Sequence, residues 1–312
     1  MFSRQRALRQ LRPLALWTYL LAWVLLWACS GTSARAESTP LVRIGWTAWA
    51  DAEAVTKIAK RVLERELSLE VQLVMADIEV QYQALATGDI DVMLMSWLPE
   101  LQAEYLEQYG NRIINLGPIY TRARYGWAVP DYVPADRLET VADLQRPDIA
   151  DKLGRIVVGI EPSAGLMRSS KRAMRAYGLS DMGYRLLDNS ERSMTSALGR
   201  AIQNRQWIVV TAWNPHWKWA RWDLRYLEDP KGIVSGQARV HALARSGFDT
   251  TAPRGVFDFF GRLSLPLDEL QEVLHHARRT SSSEAVEAYI AAHRGRVRYW
   301  LTGEIDARAD QP

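Results

Sequence analysis

The sequence predicts an α/β protein in which mostly parallel sheets are flanked by helices. Short apolar strands alternate with amphipathic helical segments, and this alternation falls into two blocks, roughly residues 40–128 and 130–229. The 312-residue chain is 48% hydrophobic and 24% charged, which is ordinary for a globular protein and excludes a disordered or collagen-like chain. Its single cysteine excludes an intramolecular disulfide and a thiolate metal site.

The first 36 residues have the three parts of a secretory signal peptide. Four arginines precede residue 13 without any acidic residue, and the apolar stretch Leu14–Ala28 follows. This stretch is shorter than the roughly 20 residues that span a bilayer. Ala34-Arg35-Ala36 then gives a small-x-small cleavage site. We therefore expect residues 1–36 to be removed and the mature chain to be exported to the periplasm.

Two other outcomes for this leader stay open. It could remain as an uncleaved membrane anchor, or Leu26-Trp27-Ala28-Cys29, which partly resembles a lipobox, could direct lipidation of Cys29. Cleavage after Ala36 is favoured because Trp27 is bulky for a lipobox. Removing residues 1–36 takes away five arginines and no acidic residue, which lowers the formal net charge from +3 to −2. The composition therefore does not support a basic surface for nucleic acid.

In the first block, two strand–helix pairs and a third strand follow from the apolar pattern. Asp51 is expected to be the N-cap of the first helix, because apolar residues recur after it at helical spacing. The predicted elements are, in order, a strand at Leu41–Gly45, a helix with apolar positions Val55, Ile58, Ala59, Val62 and Leu63, a strand through Leu69, Val71, Leu73 and Met75, a helix from Tyr82 to Thr87 that ends at Gly88, and a strand at Val92–Met95.

The second block contains two apolar strands of the buried type, Ile156–Ile160 and Ile208–Val210, each followed by a turn. An extended segment, Tyr125–Val133, connects the two blocks. Amphipathic helices are predicted at Leu267–Arg279 and Glu284–Gly295. We expect this C-terminal part of the chain to return to the first block.

Tryptophan follows three of the predicted strands, in a chain that has 13 Trp but only 5 Phe. Trp46 and Trp49 follow the first strand, Trp97 follows the strand at 92, and Trp213 follows the strand at 208. Ligands of open α/β sheets bind beyond the carboxyl ends of the strands, so these indoles are expected to face one cleft. The strand at Ile156 is followed instead by a small-residue turn that opens a helix.

Several indoles around one cleft are typical of a site for a quaternary ammonium group. Such a cation has no N–H to donate, so aromatic faces must match its diffuse charge and methyl surface. Each Trp face contributes about 0.5–2 kcal/mol, and micromolar affinity requires ~8 kcal/mol. Methyl burial and an anionic end of the ligand, held by free backbone N–H groups at a helix N-terminus, would add the rest. Trp217, Trp219 and Trp222 are interpreted as packing residues, as Trp often is at a strand end.

Four groups of residues together resemble a known family. They are Ile44–Trp49 with Glu53, Gly88–Asp91 leading to Trp97–Pro99, Gly159–Met167, and Trp213–Trp217 followed by Leu227–Pro230. In these motifs the chain is similar to the substrate-binding proteins of ABC transporters for glycine betaine, choline and related quaternary amines. The resemblance implies a two-lobe, type II-like periplasmic-binding-protein fold with the ligand in the inter-lobe cleft. Lobe 1 would be residues 37–128 plus 235–312, and lobe 2 would be residues 129–234.

The resemblance also implies roles for individual residues. Trp49, Trp97 and Trp213 match the cage around the trimethylammonium group, Trp46 and Tyr125 match further aromatic walls, and the backbone N–H groups of Gly165 and Leu166 match the carboxylate-binding turn. Gln102 stands where betaine-binding members often have a His, so it can donate a hydrogen bond but brings no charge. Ala48 stands nearest to the Asp of choline-type members. Glycine betaine is the favoured ligand, and choline or carnitine comes next.

No catalytic role is expected. The sequence has no nucleophile elbow, zinc-protease, P-loop or dinucleotide motif. Asp89 and Asp91 are better interpreted as turn and cap residues than as an acid–base pair, and His275 and His276 point to different faces of their helix. We expect no cofactor and no metal, and a monomer that delivers its ligand to an inner-membrane permease driven by an ATPase on the far side. A binding protein for a sugar or another small solute, or a hydrolase with a Trp-lined cleft, is the alternative.

Overall fold

The computed structural model describes residues 40–305, so the predicted signal peptide and Cys29 lie outside the described residues. The strands are β1 Leu41–Trp46, β2 Glu70–Met75, β3 Val92–Leu98, β4 Ile113–Pro130, β5 Ile156–Val158, β6 Arg185–Leu187, β7 Val209–Trp213, β8 Leu224–Tyr226 and β9 Gly236–Arg245. They form one mixed sheet in the spatial order β2-β1-β3-β9-β4-β7-β5-β6, with β8 paired to β4.

Helices connect these strands and cover the sheet. They are α1 Ala50–Leu67, α2 Ile78–Thr87, α3 Ala103–Tyr109, α4 Pro147–Lys152, α5 Gly165–Ala176, α6 Glu191–Gln203, α7 Lys218–Arg221, α8 Phe248–Thr251, α9 Val256–Arg262, α10 Leu267–Arg279, α11 Ser282–Ala292 and α12 Arg294–Thr302. Short 3₁₀ helices lie at Gly110–Arg112 and Val141–Gln145. Among the described residues, no helix is both long and apolar enough to span a membrane.

The α/β architecture is confirmed, and its two parallel blocks are joined through the middle of the sheet. Strands β1, β2 and β3 pair in parallel and are called the first half-sheet, and β5, β6 and β7 pair in parallel as the second half-sheet. Between them lie β4 and β9, which run antiparallel to each other and pair with β7 and β3, respectively. The described residues belong to one compact unit, so the boundaries of the two lobes remain a prediction.

The long central strands were largely missed by the apolar pattern. Only the end of β4, from Tyr125, falls in the predicted extended segment, and no strand was predicted over Gly236–Arg245. The pairing of β4 with β9 shifts register three times between Asn115 and Ala123. Gly117 and Arg122 have positive φ angles in this stretch, which interrupts the regular alternation that identifies a strand.

The apolar spacing correctly predicts helix α1 and its buried face, since all five predicted apolar positions from Val55 to Leu63 are buried. The predicted N-cap is wrong. Trp49 is the N-cap, and Asp51 lies in the first turn with its side chain fully buried. Helix α2 begins four residues earlier than the predicted segment and ends at Gly88, whose φ of 81° gives the left-handed C-cap.

The C-terminal helices pack on the first half of the molecule. Helices α10 and α11 both contact α1, and α9 contacts α12. The first predicted C-terminal helix, Leu267–Arg279, is confirmed at both ends. The second is shorter than predicted and ends at Ala292, after which α12 places Trp300 in the core, edge-on to Phe259.

Asp91 is a structural residue rather than an acid–base group. Its carboxylate accepts hydrogen bonds from the Arg43 and Arg245 guanidinium groups, which tie β1 to β9. Burial alone would raise the pKa of Asp91, but these hydrogen bonds outweigh burial and lower it. Asp91 therefore stays ionised and bound to its two partners at neutral pH.

Candidate ligand-binding site

A cavity with an empty volume of about 330 Å³ lies where the carboxyl ends of both half-sheets meet. Its lining residues are Trp49, Trp97, Leu101, Gln102, Tyr125, Ile160, Ala164, Gly165, Leu166 and Trp213. The structure therefore brings together seven of the eight site residues that the sequence singled out.

Trp46, which the resemblance implies as a further aromatic wall, is the exception, because it does not line this cavity. It is the last residue of β1, whereas Trp49 is the N-cap of α1, and a tight turn at Thr47 separates the two side chains. Trp46 lines a different, larger groove and contributes nothing to the cavity wall. Of the two neighbouring indoles, Trp49 is the one that faces the cavity.

The aromatic wall is formed by residues from four separate segments of the chain. Trp49 follows β1, Trp97 lies in β3, Tyr125 lies in β4 and Trp213 ends β7. All four side chains are between 3% and 6% exposed, so they are held by packing on every side except the cavity. Tyr120 supports Trp97 from behind in an edge-on contact, with 6.4 Å between ring centroids.

Two carboxylates, the half-buried Glu161 and the buried Asp51, orient two of the indoles. The Trp49 indole N–H donates to Glu161 at 3.1 Å, and the Trp213 indole N–H donates to Asp51 at 3.1 Å. Asp51 also accepts a hydrogen bond from the Tyr120 hydroxyl. These bonds fix the planes of the rings and place negative charge next to them, which strengthens the attraction of the ring faces for a cation.

A buried ionic cluster lies next to Trp213. Burial raises the pKa of Asp51 to about 6 and also raises that of Glu191. Burial lowers the pKa of Lys218, which the Glu191 charge partly restores. The Lys218 ammonium lies 4.1 Å from the centroid of Trp213 and covers one face of that ring. The ring face that remains for a ligand is the one toward the cavity.

His216 completes this cluster in a neutral form. Its pKa is lowered well below the usual value by burial, and Lys218 adds to the effect. The His216 Nδ1 accepts the backbone N–H of Lys218 at 3.0 Å, so the ring proton lies on Nε2. That nitrogen is 3.0 Å from the Glu191 carboxylate.

The lining of the cavity also offers hydrogen-bond donors. The Gln102 Oε1 accepts from the Trp97 backbone N–H at 2.8 Å and from the Tyr82 hydroxyl at 3.3 Å. This fixes the side-chain amide, and its nitrogen donates to no residue within 40–305. The backbone N–H groups of Gly165 and Leu166, in the first turn of α5, are likewise unpaired within that range. All three groups can therefore donate to an acceptor in the cavity.

Gly165 is required by a close approach of the chain. A Cβ at this position would lie 2.0 Å from the backbone oxygen of Leu101. The start of α5 can therefore reach the loop after β3 only without a side chain, and this approach closes the donor end of the cavity.

The chemistry of the cavity is that of a binding site. The lining combines aromatic faces with uncharged N–H donors, and none of the lining residues has an ionisable acid or base apart from the Tyr125 phenol. No group of three potential metal ligands occurs among the described residues. Such a wall suits a methylated cation that has an acceptor at its far end.

Several functional residues were missed or misassigned by sequence reasoning. Leu101, Ile160 and Ala164 add apolar surface to the cavity. Sequence reasoning assigns them no role, although Ile160 and Ala164 lie within the motif Gly159–Met167 and Leu101 lies close after Trp97–Pro99. Tyr120 gave no signal because it lies in the irregular part of β4. The sequence predicts Asp51 as a helix cap, because an Asp before a helix is usually one. In the structure it instead accepts hydrogen bonds from Tyr120 and Trp213.

Comparison with known proteins places these features in a family. The model of the substrate-binding domain of ABC-type glycine betaine transport systems matches residues 40–292. The glycine betaine/carnitine transport binding protein of Listeria monocytogenes is 27% identical over 167 residues, which are 53% of this chain and 55% of the relative. The match thus spans about half the length of that relative.

Solved structures share the fold over most of the chain. A lactococcal protein in a closed form complexed with glycine betaine is 27% identical, with a TM-score of 0.77 over 84% of this chain and 100% of the other. A glycine betaine, L-proline-binding protein from Borrelia burgdorferi is also 27% identical, with a TM-score of 0.77 over 84% and 96%. A choline-binding protein in complex with choline is 24% identical, with a TM-score of 0.77 over 88% and 95%, and supports the fold alone.

Proposed function

Because the chain belongs to the family of substrate-binding domains of ABC-type glycine betaine transport systems, we propose that it captures a quaternary ammonium compound in its aromatic cavity and delivers it to a membrane permease. Glycine betaine is the first candidate ligand, and choline or carnitine comes next. The observation that supports this most directly is the convergence of Trp49, Trp97, Trp213 and Tyr125 on one cavity that is also lined by free N–H donors.

The aromatic rings and the N–H donors of the cavity fit the two ends of glycine betaine. The trimethylammonium group would lie against the aromatic rings, and the carboxylate would accept from the N–H groups of Gly165 and Leu166 and from the Gln102 amide. The relatives support this order of ligands, since one is named for glycine betaine and carnitine and another was solved with glycine betaine. A sugar fits less well, because Gln102 is the only side chain of the cavity wall with an amide, and no carboxylate or guanidinium lies there.

Closure of two lobes would enclose the ligand. We assign residues 37–128 and 235–312 to lobe 1 and residues 129–234 to lobe 2, so β4 and the chain before β9 form the two connections. Trp49 and Gln102 then belong to lobe 1, while Gly165 and Trp213 belong to lobe 2. A ligand that contacts both lobes favours the closed form by its differential affinity for the two states.

The cellular setting follows from the same family. We propose that residues 1–36 direct export and are removed, and that the mature chain acts in the periplasm as a monomer. The closed form would dock on an inner-membrane permease whose ATPase lies on the far side. No step of this cycle requires a reaction at the cavity, a cofactor or a metal.

Calorimetric titration tests the proposal. The purified mature chain is titrated with glycine betaine, choline, carnitine and proline betaine, and afterwards each ligand is recovered and analysed for change. We expect saturable 1:1 binding of at least one of them and recovery of every ligand intact. Absence of heat with all four, together with binding of a neutral sugar, would contradict the proposal.

A further inference from the structure

A second concavity, next to the cavity, shares none of its lining residues. It lies between α1 and α10, which pack on each other, on one side and α6 and α7 on the other. Its aromatic and basic members, which we call the Trp–Arg groove, are Trp46, Trp217, Trp222, Arg192, Arg200, Arg221 and Arg278. The three indoles are half-buried and the four arginines are exposed, so the rings lie recessed between cations.

Two rings and two guanidinium groups of the groove lie in a row. The Arg278 guanidinium lies 4.8 Å from the centroid of Trp217, the Trp217 and Trp222 rings are 5.6 Å apart, and the Arg221 guanidinium lies 5.2 Å from Trp222. Cation–π contacts of this kind hold the guanidinium planes in place. Their N–H groups, which point outward from the stack, remain available to an acceptor.

The groove is strongly basic on a chain whose mature formal charge is −2. Within residues 40–305, none of its four arginine side chains has a hydrogen-bond or ion-pair partner. The acidic residues that border the groove do not neutralise them, because Glu53 pairs with Lys57 and Glu191 is buried against His216. Recessed indoles beside unpaired arginines are typical of a protein interface.

The groove and the cavity are built from the same two turns. The turn after β1 places Trp46 in the groove and Trp49 in the cavity, and the end of β7 does the same with Trp217 and Trp213. The Ala50 N–H, at the start of α1, donates to Glu191 of α6 at 2.8 Å and joins the two walls of the groove. A change in the distance between these walls must therefore alter the cavity and the groove together.

We propose that the Trp–Arg groove is the docking surface for an acidic segment of the membrane permease, and that closure around the ligand assembles it. This inference rests on the proposed function. Carboxylates of the partner pair with the four arginines, and its protruding side chains fill the recess above the indoles. The concave shape favours a polypeptide over a lipid surface, which would need cations that protrude.

The test separates ligand binding from delivery. In one variant all four groove arginines are changed to Glu, and a second carries only Arg221→Glu and Arg278→Glu. A control carries Arg185→Glu and Arg254→Glu, which are exposed arginines outside the groove. Affinity for glycine betaine is measured on the purified chains, and uptake of labelled glycine betaine at saturating concentration is measured in cells whose own copy is replaced.

We expect both groove variants to bind glycine betaine within twofold of the wild type, and the four-site variant to lower uptake at least tenfold, while the control keeps both. If the four-site variant does not fold, uptake by the two-site variant tests the inference, and we expect that uptake to fall below that of the control. Uptake within twofold of the wild type, or equal losses in groove and control variants, would overturn the inference. Unchanged uptake with lost binding to phosphatidylglycerol vesicles would assign the groove to lipid instead. If the wild type binds no quaternary amine, the proposed function itself has failed.

Discussion

The cavity and the Trp–Arg groove use the same residue type in opposite ways. In the cavity the indoles are almost fully buried, and two of them direct their N–H groups to carboxylates. In the groove Trp217 and Trp222 are half-buried, and a guanidinium group already covers a face of each. Protein cations thus cover both indoles of this pair in the groove, whereas among the three indoles of the cavity only Trp213 has such a cover within the described part of the chain, from Lys218.

The difference shows what makes an indole a ligand site. A ring attracts a foreign cation only through a face that no side chain covers, and only the cavity presents several such faces around one space. Trp213 illustrates the limit, since Lys218 covers one of its faces and the cavity has the other. The groove, with its faces occupied and its arginines unpaired, is suited to anions instead.

The largest expected effect comes from a methyl group at Gly165. The added Cβ would lie 2.0 Å from the Leu101 backbone oxygen, which cannot move as a flexible side chain would. Overpacking typically costs about 1–3 kcal/mol, so we expect Gly165→Ala to weaken glycine betaine binding up to a hundredfold, as measured by calorimetry. Gly199→Ala is the control, since its Cβ would press only on Trp222 of the groove at 3.2 Å. Equal losses in the two variants would mean that closure of the donor end does not limit binding.

The next effect concerns the carboxylate beside the cavity. Burial raises the pKa of Asp51 from 3.8 to about 6, so the folded chain holds this proton more tightly than the unfolded chain. The free energy of unfolding should therefore fall as pH rises from about 4 to 6, by up to about 3 kcal/mol relative to Asp51→Asn. Urea unfolding at pH 4, 5, 6 and 7 measures the difference.

Asp91→Asn gives the matched control for this pH dependence. The pKa of Asp91 is lowered because its arginine hydrogen bonds outweigh burial, so its stabilisation is present above pH 4 and is lost as pH falls below that value. The two variants should thus differ from the wild type with opposite slopes against pH. Parallel curves for the wild type and Asp51→Asn would show that this carboxyl is not protonated on folding.

A third prediction compares the loss of an indole from the cavity with the loss of one from the groove. Trp213→Ala removes a cation–π face and leaves Asp51 without its indole donor, so we expect calorimetry to show at least tenfold weaker binding of glycine betaine. Trp97→Ala should act in the same direction. Trp222→Ala, in the groove, should leave affinity within twofold. Weaker binding in all three variants would mean that the ligand is not confined to the cavity.

The residues of the cavity could be predicted to the extent that sheet geometry determines them. Parallel strands end at the same edge, which is why Trp97 and Trp213, far apart in sequence, were expected together. The choice between Trp46 and Trp49 could not be made, because it depends on the dihedral angles of one tight turn. The donor turn at Gly165 could be predicted only from the family resemblance, because the sequence pattern alone does not distinguish this turn from others.

The buried support of the cavity could not be predicted at all. Asp51 receives its partners from Tyr120 and Trp213, which lie 69 and 162 positions away in the sequence. Tyr120 lies where β4 is irregular, so no periodicity locates it. The sequence pattern predicts that Trp217 and Trp222 are packing residues. Only the structure shows that they contact arginines and line a groove.

The smallest expected effect separates the two candidate ligands. Gln102→Glu keeps an oxygen for the Trp97 N–H and the Tyr82 hydroxyl, so the fold of the loop is retained, but it replaces the donor that faces the cavity with a carboxylate oxygen. The carboxylate of glycine betaine would be repelled, whereas choline has a hydroxyl that can donate to the new acceptor. We expect about fivefold weaker binding of glycine betaine and no loss for choline.

This measurement is best made at pH 8, because burial raises the pKa of a carboxyl group and the new Glu must be ionised. Gln72→Glu, exposed on the edge strand β2, adds the same charge away from the cavity and should change neither affinity. Equal losses for both ligands would place the anionic end of glycine betaine away from Gln102. The comparison of the two regions would then hold only for their aromatic faces, since the donor wall would no longer distinguish the cavity from the groove as a site for a zwitterion.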